Sequence, residues 1–228
     1  SRYDARVNGE DASLRNVEWS LKKMEWDNLF NYGEGNTINF DKLNGVVGVF
    51  GKNYSGKSSV IDSALYTIYN SISKNNRKNL NIINQNKQLG CGRVEIDIDG
   101  KTYIIERKSE KYKKKLHGEE TDEAKTDVEF LMIDPATGEE TSLNSLDRNG
   151  TDKEIRKIFG TIDDFLLTSM SSQMGAMTFI NEGSTKRKEI LAKFLDLDQF
   201  EKKFRASKND SIETRALLKK LEDNNFDE

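Results

Sequence analysis

Residues 51–59 read GKNYSGKSS. Gly51, Gly56, Lys57 and Ser58 give the spacing G-x-x-x-x-G-K-S, that of a loop that wraps phosphate. In such a loop successive backbone N–H groups turn toward phosphate oxygens, and the positive end of the following helix adds to the field. Gly51 lets the chain leave a strand sharply, and Gly56 permits close backbone approach. Lys57 reaches the β- and γ-phosphates, and the Ser58 hydroxyl ligates Mg²⁺. Asn53, Tyr54, Ser55 and Ser59 complete the cradle. Tyr54 is the odd residue, because many such loops carry glycine or another small residue there. A bulky residue avoids positive φ, whereas asparagine tolerates it. Asn53 is therefore expected to take any left-handed geometry, leaving the Tyr54 ring at the rim, pointing outward and without a catalytic role.

A phosphate loop works only between a strand and a helix, and the flanking sequence fits that order. GVVGVF (Gly45 to Phe50) is a short apolar run of the kind that forms a buried strand. KSSVIDSALYTIYNSI follows, with Val60, Ala64 and Ile68 on one helical stripe and Ile61, Leu65 and Ile72 beside it. Upstream, Leu21 to Leu29 and Asn36 to Lys42 read as short strands. Downstream, GRVEIDIDGKTYIIERK places Val94, Ile96 and Ile98 on one face, with a two-residue hairpin at Asp99-Gly100. DVEFLMIDPATGEETSL reads as a second hairpin. KSEKYKKKLHGEETDEAK between them reads as a solvated loop, with the lone His117 in water and a lysine cluster able to meet a phosphate backbone. From Thr151 the period becomes helical, through TDKEIRKIF, IDDFLLTSM, a helix opened by Ser184 or Thr185, and a last segment with a thin seam at Ile212, Leu218 and Leu221. That seam suits the root of a coiled coil.

Composition narrows the class. The 228 residues hold 36 Lys and Arg against 39 Asp and Glu, a net charge of −3, so no global basic field demands nucleic acid. The single cysteine, Cys91, excludes an internal disulfide framework and fits a reducing compartment. No apolar run approaches the length of a membrane span. A GTPase base reader of the N-K-x-D type is missing, since NKQL (Asn86 to Leu89) lacks the aspartate. FLMID (Phe130 to Asp134) resembles a magnesium-holding strand, but Pro135 follows it and makes Asp134 a turn residue.

Three stretches resemble the N-terminal half of SbcC-type DNA-repair ATPases, ABC-class proteins related to the structural-maintenance-of-chromosomes family, of which bacteriophage recombination versions exist. WDNLFNYGEGNTINF falls where that family has a strand and a turn near adenine and ribose. GVFGKNYSGKSSVIDSALYTIY matches the phosphate loop and its helix. FLLTSMSSQMGAMTFINEGSTKRKEILAKFLDLDQFEKKF matches the glutamine loop and the helices leading to the coiled coil. The resemblance implies an α/β fold, a P-loop NTPase of the ABC type, with mixed and antiparallel strands and a helical extension. It implies ATP and Mg²⁺ as cofactors, and Gln173 as a second metal ligand that orients the attacking water beside Lys57. It places Asn28 and Phe30 near base or ribose, although the family often has arginine where Phe30 stands. No Gly-Gly and no apolar run ending in Asp-Glu occurs here, so the signature loop and catalytic carboxylate are expected in a C-terminal half beyond a long coiled coil. The expected layout is an extension or remnant at 1–20, half of an ATPase head at 21–206 and the start of a coiled-coil helix at 207–228. Expected partners are that C-terminal half, a second head, an SbcD-type nuclease subunit and DNA, in the cytoplasm of a prokaryotic or phage-infected cell. Two other readings stay open: another ABC-type genome-maintenance ATPase of the RecF, RecN or chromosome-structural kind, and a nucleotide-gated coiled-coil scaffold.

Overall fold

The computed structural model describes residues 18–73, 78–116, 119–170, 182–195 and 197–222. The chain divides into two compact units, one spanning Arg15–Ser172 and another that contains Gln173–Glu228.

The first unit is built on a six-stranded sheet in the order β2-β1-β3-β4-β5-β6. Its strands are β1 (Trp19–Asp27), β2 (Asn36–Asn39), β3 (Leu89–Ile98), β4 (Lys101–Leu116), β5 (Glu119–Ile133) and β6 (Glu140–Ser142). Every pairing in it is antiparallel. Strand β3 shows why the sheet has one wet face and one dry one. Val94, Ile96 and Ile98 point inward and are buried, while Arg93, Glu95 and Asp97 alternate outward. The β3–β4 turn is the expected two-residue one, with Asp99 at φ 50° and Gly100 at φ 78°, the geometry that matches strand twist.

Helix α1 (Lys57–Tyr69) lies on the dry face. Leu65, Tyr66, Ile68 and Tyr69 join Met24, Trp26, Val94 and Ile96 in the core. The buried stripe is therefore rotated from the expected one: Ile61 is exposed, and two tyrosines take its place. Close approach of helix and sheet depends on Gly92, since a Cβ there would collide with Thr67 Oγ1. Helix α2 (Arg148–Phe159) is capped by Asp147, whose carboxylate accepts from Gly150 N at 2.7 Å. It sends Ile155 and Phe159 into the core, where Phe159 meets Trp19 and Phe130 at ring separations of 5.7 and 6.2 Å. Each fully buried side chain of this size contributes about 2 kcal/mol. Helix α3 (Ile162–Thr168) adds Phe165 against Trp19 and Tyr69.

Two expectations fail here. Residues 45–50 form no strand, and Val46 and Phe50 stand 104% and 93% exposed. A strand exists only through a hydrogen-bonded neighbour, and among the described residues this segment has none. Of the charge-dense stretch 108–125, expected as a loop, residues 108–116 and 119–125 form the outer half of a long β4–β5 ribbon. A lysine-rich strand faces an acidic one: Lys113 and Lys115 meet Glu120 at 3.6 and 3.5 Å, and Lys114 meets Glu123 at 3.4 Å. Exposed pairs of this kind contribute about 0–1 kcal/mol each, so the backbone ladder carries the ribbon. His117 lies outside the described residues.

The described part of the second unit is helical, with α4 (Ser184–Phe194) and α5 (Asp198–Glu222). Helix α5 runs unbroken through position 207, and Phe200, Phe204, Ile212, Leu217 and Leu218 on it are exposed.

Candidate functional site

The phosphate loop opens α1 as its mechanism requires. Gly56 is the N-cap at φ 92°, and Lys57 begins the helix. Only glycine fits position 56 comfortably: the φ is left-handed, and a Cβ would sit 3.2 Å from the Tyr32 ring. The loop is tightly wound, with Ser55 N donating to Lys52 O at 3.2 Å and Ser59 N to Gly56 O at 2.9 Å. The Lys57 ammonium lies across it, donating to Gly51 O at 2.9 Å and Lys52 O at 2.7 Å. It thus sits over the mouth of the cradle formed by the loop and the first turn of α1. Ser58 is exposed in that first turn. Mg²⁺ is commonly held by one or two protein groups together with phosphates and waters, and Ser58 is placed for such a role. These residues suit a Mg²⁺–nucleoside triphosphate: a helix N-terminus, the Lys57 ammonium and the exposed Ser58 all lie at the junction of the loop and the first turn of α1.

Tyr54, not Asn53, takes the left-handed conformation. Its φ is 64° and its side chain is 97% exposed, whereas Asn53 is not among the positive-φ residues. The left-handed bend thus falls on the fourth residue of the loop. The Tyr54 carbonyl is steadied by Asn31 Nδ2 at 3.3 Å.

The turn after β1 reaches the loop, but through residues the sequence did not single out. Asn31 holds Tyr54 O, and the Tyr32 hydroxyl donates to Gly56 O at 3.1 Å. Tyr32 is in turn held edge-on by Trp26 at 5.2 Å. Asn28 and Phe30 belong to the same turn, both at φ 53°. Asn28 is 8% exposed; its Nδ2 reaches Glu34 at 3.5 Å, and its Oδ1 is buried without a partner. Phe30 is half-buried against the core. The turn is pinned to the α1–β3 connection by Phe30 N to Ile82 O at 2.7 Å and Asn84 N to Asn28 O at 2.8 Å. The amide at 31 and the aromatic at 32 lie inside the matched stretch, next to Phe30, so membership of that turn was the signal that could have found them. Gln173 lies outside the described residues. Asp134 is the turn residue expected, accepting from Ala136 N at 2.9 Å.

Behind the site the far end of α1 is gripped by buried polar groups. Arg107 of β4 is 0% exposed; Nε donates to Thr67 O at 3.0 Å, and Nη2 donates to Ile68 O at 3.3 Å and Asp152 Oδ1 at 2.7 Å. A hydroxyl chain runs beside it, with Tyr66 to Ser109 and Ser109 to Thr126, each 2.6 Å. Burial pushes the Tyr66 phenol up to about 12, against the opposing pull of Ser109 and Arg107. Alternation along β4 puts Arg107 on the parity of Ile105, a sequence signal that a charged residue ordinarily overrides.

A family model described as an AAA domain matches residues 23–227. The chain is 32% identical over 216 residues to protein R555 of Acanthamoeba polyphaga mimivirus, covering 92% of this chain and 15% of that protein. It is 26% identical over 169 residues to the SbcC subunit of nuclease SbcCD from Clostridium acetobutylicum, covering 72% and 14%. It is 29% identical over 87 residues to the DNA double-strand break repair Rad50 ATPase of Sulfolobus acidocaldarius, covering 38% and 10%. The chain thus spans about a seventh or less of the length of these relatives. The RecF–ATP structure aligns with 92% of the chain at TM-score 0.39 and 16% identity. The match across almost all of the described chain, together with a phosphate loop that opens a helix on the sheet, makes this chain a member of the AAA-domain family, similar to the SbcC and Rad50 ATPases.

Proposed function

We propose that this chain binds ATP with Mg²⁺ at residues 51–59 and forms the N-terminal part of a DNA-repair ATPase head of the SbcC type. The Lys57 ammonium held across the loop at the start of α1 carries the reading. Bound ATP–Mg²⁺ supplies an electrophilic γ-phosphoryl group. The chain's own part is to neutralise charge with Lys57, to hold the metal through Ser58 and Gln173, and to shape the cradle with Asn53, Tyr54, Ser55, Gly56 and Ser59. Asn28 and Phe30 place the adjacent turn beside the nucleoside. The exposed apolar segment 45–50 supports incompleteness, because a central strand of a head needs neighbours that the C-terminal part would bring. Two complete heads would then close on ATP and regulate a partner nuclease of the SbcD type at DNA ends. Among the described residues no helix is long and apolar enough to cross a membrane.

Calorimetry in Mg²⁺ tests the site: wild type binds ATP, and Lys57→Ala does not while still folding. Equal affinity in both refutes the phosphate-loop assignment. Turnover tests the half-head. The 228-residue chain stays near background, and adding the C-terminal part restores hydrolysis and ATP-dependent dimerisation. Restored dimerisation without hydrolysis would favour a nucleotide-gated scaffold. Turnover of about 1 per second or more by this chain alone, abolished in Lys57→Ala, refutes incompleteness.

A further inference from the structure

We infer that Arg107 and Asp152 are positioning residues for the nucleotide site, linking the phosphate helix α1 to α2. This rests on the ATP-binding reading above. Helix α1, 13 residues long, is a strut of about 20 Å at 1.5 Å per residue, with the phosphate loop at one end and Arg107 at the other. The last-turn carbonyls of a helix carry its negative pole and have no intrahelical partners. Arg107 supplies donors to two carbonyls in the last turn, Thr67 O at 3.0 Å and Ile68 O at 3.3 Å. The same guanidinium reaches Asp152 Oδ1 at 2.7 Å in the second turn of α2. One planar group thereby fixes the end of α1 against a second helix.

Other contacts hold the same end. The Tyr69 hydroxyl donates to Phe159 O at 3.2 Å, tying α1 to the last residue of α2. Asn79 Nδ2 reaches Asn70 Oδ1 at 2.9 Å, at the left-handed C-cap of α1. The far end of the strut is thus located from β4, from Asp152 and Phe159 of α2 and from the connection to β3. A change at the phosphate end cannot move α1 without straining this clamp.

The energetics argue against a role in stability alone. A fully buried ion pair bears a desolvation penalty that apolar replacements of similar volume avoid, often with gain. Here the penalty is raised further, since Arg107 Nη1 is buried with no partner. A pair kept only for packing would be better replaced by methionine and leucine. What apolar side chains cannot supply is the direction of three hydrogen bonds to carbonyls and a carboxylate on two different helices.

The test is the Arg107→Met/Asp152→Leu double variant of the 228-residue chain. Melting temperature is read by circular dichroism, and ATP affinity by calorimetry in Mg²⁺. The expected result is a folded protein at least as stable as wild type that binds ATP about tenfold more weakly, within the range typical of coupling between sites. Arg107→Lys, which keeps charge but loses the fork, falls between. Wild-type affinity in the folded double variant overturns the inference. Asp152→Asn keeps the shape and provides a second reading should the double variant not fold. ATP is expected to slow amide exchange across residues 151–158 of wild type, and to do so less in Asp152→Asn. Equal protection in both, or none in wild type, overturns the inference. Failure of wild type to bind ATP overturns the function reading with it, whereas wild-type binding with unaltered variants overturns this inference alone.

Discussion

Tyr54→Gly should make the protein more stable. Tyr54 stands at φ 64° with its side chain 97% exposed. The left-handed region costs a non-glycine residue roughly 1–2 kcal/mol, because Cβ crowds the following carbonyl. Glycine removes that cost but gives the unfolded chain more freedom, offsetting about 0.5–1 kcal/mol. The net gain is about 0.5–1 kcal/mol. For a chain of this length 1 kcal/mol corresponds to about 2–4 °C in melting temperature, so the expected rise is about 1–4 °C. Tyr54→Ala is the control: it deletes the ring and keeps the strained Cβ. The ring is almost fully exposed, so alanine should stay within about 0.5 kcal/mol of wild type. Parallel thermal melts of the three proteins, with ATP titrations on each, read both effects. Nucleotide affinity should persist in the glycine variant, which restores a residue common in related loops. A glycine variant no more stable than the alanine variant would refute the backbone argument. A large loss of affinity would instead place the tyrosine ring on the nucleotide.

Two further outcomes follow from the core. Gly92→Ala should cost about 1–3 kcal/mol in chemical denaturation, because the added methyl meets Thr67 Oγ1 and forces α1 off the sheet, whereas Gly33→Ala, with open space around it, should change little. Alkaline pH should destabilise the fold: burial, with help from Glu106, pushes the Cys91 thiol from 9.0 to about 11, and burial pushes Tyr66 from 10.0 to about 12. The folded state then holds these protons more tightly than the unfolded chain, so stability is full below about pH 9 and is lost as pH rises toward 12. Melting temperatures at pH 8, 10 and 11 check the sign, and a rise across that series would refute it.

Spacing alone marked the phosphate loop and the helix that follows it, since G-x-x-x-x-G-K-S is written in consecutive residues, whereas the strand expected before it is not formed. Alternation likewise determined β3 and its Asp99-Gly100 turn, because strand parity and a two-residue hairpin are local properties. What lay beyond local reach was decided by packing. Residues 45–50 are as apolar as any strand, but a strand is a relation between two segments, and composition cannot say whether the second is present. The ribbon at 108–116 and 119–125 looked like a solvated loop because its side chains are charged, yet its order comes from a backbone ladder that charge does not report. Which residue bears the left-handed bend was fixed by the winding of the loop around Lys52 and Gly56, against the preference of Asn53 over Tyr54. Tyr32 reaches the loop only because the turn after β1 folds back over Gly56. Arg107 and Asp152 lie 45 residues apart and meet only because β4 and α2 both close on the same end of α1, a juxtaposition that tertiary structure alone creates.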